Sequence, residues 1–234
     1  MRLKNFLAGI KAGLPVCIGY FSVSFGFGAM ALAQGLSVLE SILISATNLT
    51  SAGQFAGLTV IATGATLFEM ILTQLVINSR YALMSLALGQ RLGPQVRTGH
   101  RLIAAFFNTD EIFALGMSKE GPLTVDFFAG AGVIAASGWV AGTATGAIAG
   151  SLLPLSIRDA LGVMLYGMFV AVVIPRAKQE KTICICAVVA LLFSCLFTWI
   201  PQLNQISAGL IIVICTVATA ALCALLFPVE EAEA

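Results

Sequence analysis

The sequence predicts an all-α membrane protein, a polytopic transmembrane helical bundle with about 6–8 membrane segments, some of them broken or re-entrant. Composition is the first reason: 59% of the 234 residues are hydrophobic and 10% are charged, whereas about a quarter of an ordinary soluble domain is charged. The second reason is that uncharged runs exceed the roughly 20 residues that span a hydrocarbon core; they cover 12–39, 41–68, 127–157 and 182–229. Lipid is therefore the expected solvent, and residues 1–234 are treated as one integral membrane domain.

The N-terminal segment predicts a retained first helix. Arg2, Lys4 and Lys11 resemble the basic region of a secretory signal, but the apolar stretch that follows continues through Ala33 without an expected cleavage site. For two segments, 36–64 and 156–175, the sequence does not decide between a full crossing and a re-entrant path. The clearer spans are predicted at 10–34, 66–90, 101–118, 123–152, 182–200 and 205–227.

Basic residues constrain how these segments cross the membrane. Three basic clusters lie at 2–11, 91–101 and 176–181, and short loops rich in Lys and Arg tend to stay cytoplasmic. If all three clusters share one side, an even number of crossings separates neighbours, so 36–64 dips in and returns, or 37–90 holds three short spans. By the same parity, one segment between the second and third clusters is re-entrant or broken. Non-helical backbone at membrane depth requires a surrounding protein or a watery cavity, so this parity points to a solute pathway.

A weak internal sequence similarity indicates an inverted repeat. Residues 28–40 (GAMALAQGLSVLE) resemble 146–159 (GAIAGSLLPLSIRD) with one inserted residue. Both end in Leu-Ser-x-x-acid, which predicts a serine N-cap with a carboxylate at N3. Under the charge assignment the two copies begin on opposite sides, as in many secondary transporters. Pseudo-repeats at 8–92 and 123–200 are therefore one reading and chance similarity is the other; residues 228–234 form an acidic tail.

The middle of the first span is rich in glycine and serine. Glycine weakens a helix, and these glycines follow Pro15, so we expect a kinked or interrupted helix. An exposed half-helix N-terminus would suit a solute carboxylate. The alternative is close helix packing, with the serines bonded back to their own helix. Candidate substrate-binding residues here are Gly19, Tyr20, Phe21, Ser22, Ser24, Phe25, Gly26 and Gly28.

The segment 45–54 (SATNLTSAGQ) is the most polar part of 36–64. A continuous lipid-facing helix has little use for so many polar side chains, so we expect a cavity-lining break around 51–53. The candidate binding residues of this segment are Asn48, Ser51, Gly53, Gln54 and Phe55.

Ionisable residues inside apolar segments are functional candidates, because charge at membrane depth is costly. Arg80, with its neighbours Asn78 and Tyr81, is a further candidate for substrate binding. Its possible partners are Glu69, Asp110 and Glu111. Arg80 either forms a structural ion pair between helices or holds a substrate carboxylate or gates the pathway.

The two adjacent acids are expected inside the span 101–118. Side chains of neighbouring helical residues project about 100° apart, so one acid can face the bundle. A carboxylate in a low-dielectric cavity can exchange a proton, as a proton-coupled carrier requires. We prefer Asp110 to Glu111 for this role, with Glu69 as a rival; the alternative places both acids at a helix end in water.

The glycine stripe and the six cysteines are expected to have structural roles. Gly138, Gly142, Gly146 and Gly150 form a small-residue stripe, which predicts close packing against another helix of this or another chain. The six cysteines lie in apolar runs without histidine or carboxylate at ligand spacing. They are therefore expected to be core residues, and no metal or other cofactor is expected.

Several separated motifs resemble the AzlC/BrnF family over about residues 8–200. The motifs are 19–29 (GYFSVSFGFGA), 51–56 (SAGQFA), 78–85 (NSRYALMS) and 109–114 (TDEIFA). Members of this family are large subunits of bacterial branched-chain amino acid exporters. The resemblance implies export of valine, leucine, isoleucine or similar apolar amino acids, with methionine as a further candidate. It also implies a small AzlD/BrnE-type partner subunit and a location in the bacterial inner membrane.

We therefore expect a secondary transporter that works by proton antiport and is not an enzyme. The substrate carboxylate would lie near 19–28 or Arg80, the ammonium near 48–54 or Asp110, and the side chain against the phenylalanines of the first two candidate segments. No Walker-type segment is present, and His100 lies in the basic loop without a paired nucleophile. A membrane channel or a non-transporting scaffold subunit is the alternative.

Overall fold

The computed structural model describes residues 3–150, 152, 170, 173–174, 177–200, 202–203 and 206–228. Every regular element in these ranges is helical, which confirms the all-α prediction. Among the described residues, ten helices have defined bounds: α1 Leu3–Ala33, α2 Val38–Thr47, α3 Ala52–Ala62, α4 Leu67–Asn78, α5 Arg80–Leu92, α6 Thr98–Phe106, α7 Asp110–Ser118, α8 Val125–Gly150, α9 Lys181–Trp199 and α10 Ala208–Leu226.

Four of the described helices, α1, α8, α9 and α10, are long and apolar enough to cross a membrane. The pair α4 and α5 is bent by 43° at Ser79 and counts as a fifth span if it crosses as one unit. These helices confirm the multi-pass prediction. The predicted segment at 156–175 lies almost wholly outside the described residues, as does the acidic tail beyond Pro228.

Two helix breaks shorten the remaining segments. The first break, at 48–51, separates α2 from α3, which have 10 and 11 residues; helices of this length reach only about 15 Å. The predicted break is thus present, although it ends before Gly53, which is helical. Ser51 turns the chain with a positive φ of 44°.

The second break, at 107–109, was not predicted. We expected a continuous span at 101–118, but α6 and α7 have nine residues each and are separate helices. The local sequence favours the break, since asparagine and threonine have low helix propensity, although Thr109 makes no capping bond with its side chain. Asp110 and Glu111 then favour the positive N-terminal end of a new helix.

The expected interruption of α1 was wrong, because α1 is one continuous helix. Its glycines allow close approach to α8: a Cβ at Gly28 would meet the backbone oxygen of Thr143, and one at Gly146 would meet that of Phe25. The glycine stripe of α8 therefore packs against α1 of the same chain, as the packing alternative requires.

The start of α2 confirms one predicted cap. Ser37 and Glu40 form a reciprocal capping box, in which the Ser37 side chain accepts from the Glu40 N–H and the Glu40 carboxylate accepts from the Ser37 N–H. Its proposed counterpart at Ser156 and Asp159 lies outside the described residues. The inverted repeat therefore stays a prediction.

The chain divides into two compact units, one of Met1–Phe55 with Asn78–Met164 and the other of Ala56–Ile77 with Leu165–Ala234. The core of the first unit gathers Tyr20, Ile112, Phe128 and Trp139 around α8. In the second unit, Thr73 donates to the Gly209 carbonyl over 3.3 Å, which joins α4 to the start of α10. Most of the apolar surface of α9 is exposed, as expected for a lipid-facing helix.

Candidate functional site

Both helix breaks border one cavity of about 160 Å³ in the first unit. Unwound backbone at membrane depth is stable where it faces such a cavity rather than lipid. The breaks thus place polar residues around a space that α5 and α6 complete. The lining residues are Leu49, Thr50, Tyr81, Ser85, Ala105, Phe106, Asn108 and Thr109.

The cavity has a buried wall and an open side. Leu49, Asn108 and Thr109 are each at most 6% exposed and form the inner wall. Ser85 and Ala105 are exposed and lie on the open side. The cavity is therefore a recess that a small molecule can enter rather than an enclosed void.

Hydrogen-bond acceptors are available in this recess. Asn108 donates from Nδ2 to the Ser85 hydroxyl at 3.2 Å, whereas its Oδ1 is buried without a hydrogen-bond partner among the described residues. Thr50 Oγ1 is also buried without a hydrogen-bond partner among the described residues. Unpaired buried polar atoms are unfavourable, so these two residues of the cavity lining are candidate partners for a donor such as an ammonium group.

The size of the cavity matches a small apolar group. An engineered protein cavity of about 150 Å³ binds benzene. The volume here is about 160 Å³, and Leu49, Ala105 and Phe106 provide apolar walls. A branched aliphatic side chain of three or four carbons therefore fits.

Two helices begin at the cavity, and their N-terminal ends differ in charge. Asp110 and Glu111 occupy the first turn of α7, so their carboxylates offset the positive end of that helix. The first turn of α3 holds no acidic residue. An anionic group is therefore favoured at α3, next to Thr50, and a cationic group beside α7.

The sequence allowed three acidic partners for Arg80, and the structure shows an ion pair with Asp110. Arg80 Nη1 lies 2.7 Å from Asp110 Oδ2, and its guanidinium stands over the Tyr81 ring at 5.2 Å from the centroid. The ion pair joins α5 to the start of α7, because Asp110 is the first residue of that helix. Tyr81 connects the pair to the cavity wall.

Glu111, by contrast, contacts a tyrosine. The Tyr20 hydroxyl lies 2.5 Å from Glu111 Oε2 and 2.7 Å from Thr109 Oγ1. The Tyr20 ring is buried and meets Trp139 edge to face, with centroids 5.3 Å apart. Because Thr109 also lines the cavity, Tyr20 links Glu111 to the cavity wall.

A buried polar chain continues from Trp139. Its Nε1 donates to Gln54 Oε1 at 2.8 Å, and Gln54 Nε2 donates to the Ser45 hydroxyl at 3.0 Å. Ser45 lies 2.7 Å from the Thr143 hydroxyl, where either group can donate. These bonds connect α2, α3 and α8 and fix the start of α3, since Gln54 lies in its first turn.

Part of the predicted set surrounds the cavity. Tyr81 lines the cavity, and Tyr20, Gln54, Arg80, Asp110 and Glu111 lie in the adjoining network. Asn48 and Ser51 shape the first break, where Asn48 Oδ1 accepts from the Thr50 N–H at 3.1 Å. These residues therefore lie at or beside the cavity.

Other predicted residues lie elsewhere. Gly19, Phe21 and Ser22 are exposed on α1, and Gly26 is buried within that helix. Ser22 and Ser24 bond back to carbonyls of their own helix at 3.1 and 3.3 Å, which the alternative had anticipated.

Four more predicted residues have packing or terminal positions. The Phe25 backbone packs on the glycine stripe of α8, and Phe55 meets Phe27 edge to face. Asn78 ends α4. Glu69 lies in the second unit, where its Cβ faces Gly209.

Sequence reasoning missed most of the cavity lining, including Thr50, Asn108 and Thr109. A signal was present, since Asn-Thr followed by two acids is a typical helix start. Recognition of that start would have placed a break inside the expected span. The contributions of Ser85 and Ala105 depend on how α5 and α6 meet, which no local pattern reveals.

Known proteins place the chain in a family. The model of the AzlC family, described as AzlC protein, matches residues 15–153. The inner membrane protein YgaZ of Escherichia coli K12 is 31% identical over 190 residues, which cover 78% of each chain. A membrane protein of Archaeoglobus fulgidus is 31% identical over 175 residues, covering 74% of this chain and 76% of its own. No solved structure matches the chain.

Family and location agree with the sequence-based expectation. The matched region contains both helix breaks and all the residues that line the cavity. The inner-membrane relative and the candidate spans together confirm a multi-pass inner membrane protein. The chain belongs to the AzlC family of membrane proteins.

Proposed function

We propose that this AzlC-family protein is the large subunit of a secondary transporter that exports branched-chain and similar apolar amino acids in exchange for protons. The observation that carries the proposal is the cavity between two helix breaks, where the buried acceptors Asn108 Oδ1 and Thr50 Oγ1 stand beside an apolar wall. An apolar amino acid presents the three complementary groups: an ammonium, a carboxylate and an aliphatic side chain.

The charges around the cavity orient this substrate. The ammonium is favoured at Asn108, close to the acidic first turn of α7. The carboxylate is favoured at the start of α3, because the positive end of this helix carries no acidic residue in its first turn. The aliphatic side chain then lies against Leu49 and Phe106. This orientation predicts that amines without the carboxylate, or acids without the ammonium, bind more weakly.

A small membrane partner completes the proposal. The family resemblance motivates an AzlD/BrnE-type subunit, and the open side of the cavity at Ser85 and Ala105 gives it a role. A partner packed there would close the recess and shield a bound substrate from lipid. We propose a hetero-oligomer for this reason.

Reconstitution tests the function directly. Vesicles that contain the chain, with and without the partner, are loaded with labelled valine, and efflux and counterflow are measured with and without a pH gradient. We expect saturable efflux that the gradient stimulates, together with counterflow driven by unlabelled leucine. Unsaturable flux without counterflow would favour a channel, and no flux in either preparation would favour a scaffold subunit.

A further inference from the structure

We infer that Glu111, rather than Asp110, carries the exchanged proton, and that Tyr20 transmits its protonation state to the cavity through Thr109. The inference rests on the proposed function and identifies the residues that couple proton and substrate. It starts from the different partners of the two adjacent acids at the beginning of α7.

Asp110 forms an ion pair with Arg80. Its carboxylate lies 2.7 Å from the Arg80 guanidinium, which keeps its charge under all physiological conditions. Protonation of Asp110 would break this pair and remove the counterion of Arg80. Asp110 is therefore expected to stay ionised throughout the transport cycle.

The surroundings of Glu111 allow both protonation states. Helices α1, α5 and α8 pack against α7, and α8 meets it through Phe128 at Gly116, an apolar contact. The charged or titratable groups around Glu111 are Tyr20 on α1, Arg80 and Tyr81 on α5, and Asp110 on its own helix. Since Arg80 pairs with Asp110, the direct contact of Glu111 is the hydroxyl of Tyr20, which can donate or accept.

The geometry defines two hydrogen-bond arrangements. Tyr20 has one hydroxyl hydrogen but two oxygen neighbours within 2.7 Å. When Glu111 is ionised, Tyr20 donates to it and accepts from Thr109. When Glu111 takes up one proton from water, its O–H donates to Tyr20, and Tyr20 donates to Thr109. No other proton is gained or lost.

This reversal changes the cavity wall. In the ionised state the Thr109 hydrogen is used by Tyr20, so its lone pairs and the negative charge of Glu111 attract an ammonium. In the protonated state the charge is absent and the Thr109 hydrogen is free to point into the cavity, which opposes an ammonium. Proton and substrate therefore compete, which is the relation that antiport requires.

Valine transport by reconstituted variants tests the inference. Counterflow without a gradient reports substrate exchange, and stimulation of efflux by a pH gradient reports coupling. We expect Glu111→Gln to show counterflow with a raised KM for valine, because it is fixed in the neutral arrangement, and to lose the stimulation, while Asp110→Asn keeps the stimulation. The exposed loop variant Glu120→Gln is the matched control and should behave as wild type.

The outcomes separate the inference from the proposed function. Absence of counterflow in the wild type would overturn the proposed function. Wild-type counterflow with full stimulation retained in Glu111→Gln, or lost only in Asp110→Asn, would overturn the inference alone.

Tyr20→Phe provides a second test, also if Glu111→Gln fails to fold. For one competing proton, the apparent Kd of valine for the wild type should rise as pH falls, by up to about tenfold per pH unit. Tyr20→Phe should bind valine with a weaker pH dependence than the wild type, because Thr109 no longer responds to Glu111 and only the direct attraction of the Glu111 charge remains. An unchanged pH dependence in Tyr20→Phe would contradict the switch.

Discussion

Asn108 occupies a position where an amide is unfavourable unless a donor enters the cavity. Its Nδ2 donates to Ser85, and its Oδ1 is buried without a hydrogen-bond partner among the described residues. A buried amide with one unpaired oxygen is costly, so Asn108 is a candidate for substrate recognition. The same argument applies to Thr50 at the other break.

Removal of the Asn108 amide tests this view. Asn108→Ala should raise the apparent KM for valine about tenfold or more, because hydrogen bonds to charged groups contribute about 1.5–3 kcal/mol. The variant should remain folded, since the substitution lies at a helix break. Asn5→Ala, on α1 away from the cavity, is the control, and equal KM values for both variants would remove Asn108 from the site.

The Arg80–Asp110 pair is a second test at this scale. Arg80→Gln or Asp110→Asn alone leaves one charge unpaired, so each should lower Tm in detergent. The double variant should recover part of the loss, with a coupling energy of about 0.2–1 kcal/mol, as for other partly exposed ion pairs. Strictly additive losses would show that the two side chains do not support each other.

At the scale of helices, α1 and α8 form the framework that holds both breaks. Glycines on each helix allow backbone contact along most of their length, and Tyr20 and Trp139 project from them toward the α7 and α3 starts. Both framework helices, α1 and α8, are uninterrupted. The short helices carry the irregular backbone.

Substitution of these glycines should separate packing from helix propensity. Gly146→Ala places a methyl group against the Phe25 carbonyl, and overpacking of this kind costs about 1–3 kcal/mol. Gly19→Ala meets no atom within 4 Å and should raise stability, by about 1 kcal/mol from helix propensity. Thermal unfolding in detergent would measure both, and equal stability of the two variants would contradict the packing.

The turn at Ser51 in the first break can be tested by substitution. Ser51 has a φ of 44°, a conformation that costs non-glycine residues about 1 kcal/mol. Ser51→Gly should therefore raise Tm and keep valine efflux, whereas Ser51→Val should lower both. A stabilising Ser51→Val would show that the chain does not turn there as described.

The elements were predictable to different degrees for physical reasons. Long apolar runs, the Ser37 cap and the glycine stripe follow from local chemistry, so these predictions were confirmed. Glycine content alone misled at α1, because glycine that weakens an isolated helix also permits the contact with α8 that stabilises it. The α6–α7 break was missed because a hydropathy pattern records polarity but not helix starts.

At the scale of the whole molecule, helix lengths bear on topology. α1 is long enough to cross once, the bent pair of α4 and α5 can cross once, and α2 and α3 are too short to cross separately. The N-terminal basic cluster and the α5–α6 loop should therefore lie on the same side. Tags at Lys4 and Arg97 should show equal accessibility in sealed vesicles, and opposite accessibility would refute this path.

The central claim is that an apolar amino acid binds in the cavity between the two helix breaks. A direct measurement uses a functional variant in which the six native cysteines are replaced and Ala105, on the cavity wall, is changed to cysteine. Leucine should slow modification of Ala105→Cys by a thiol reagent at concentrations that saturate transport, and should leave the exposed control Ala62→Cys unaffected. An unchanged modification rate at Ala105→Cys, in a preparation that still exchanges leucine, would place the substrate elsewhere.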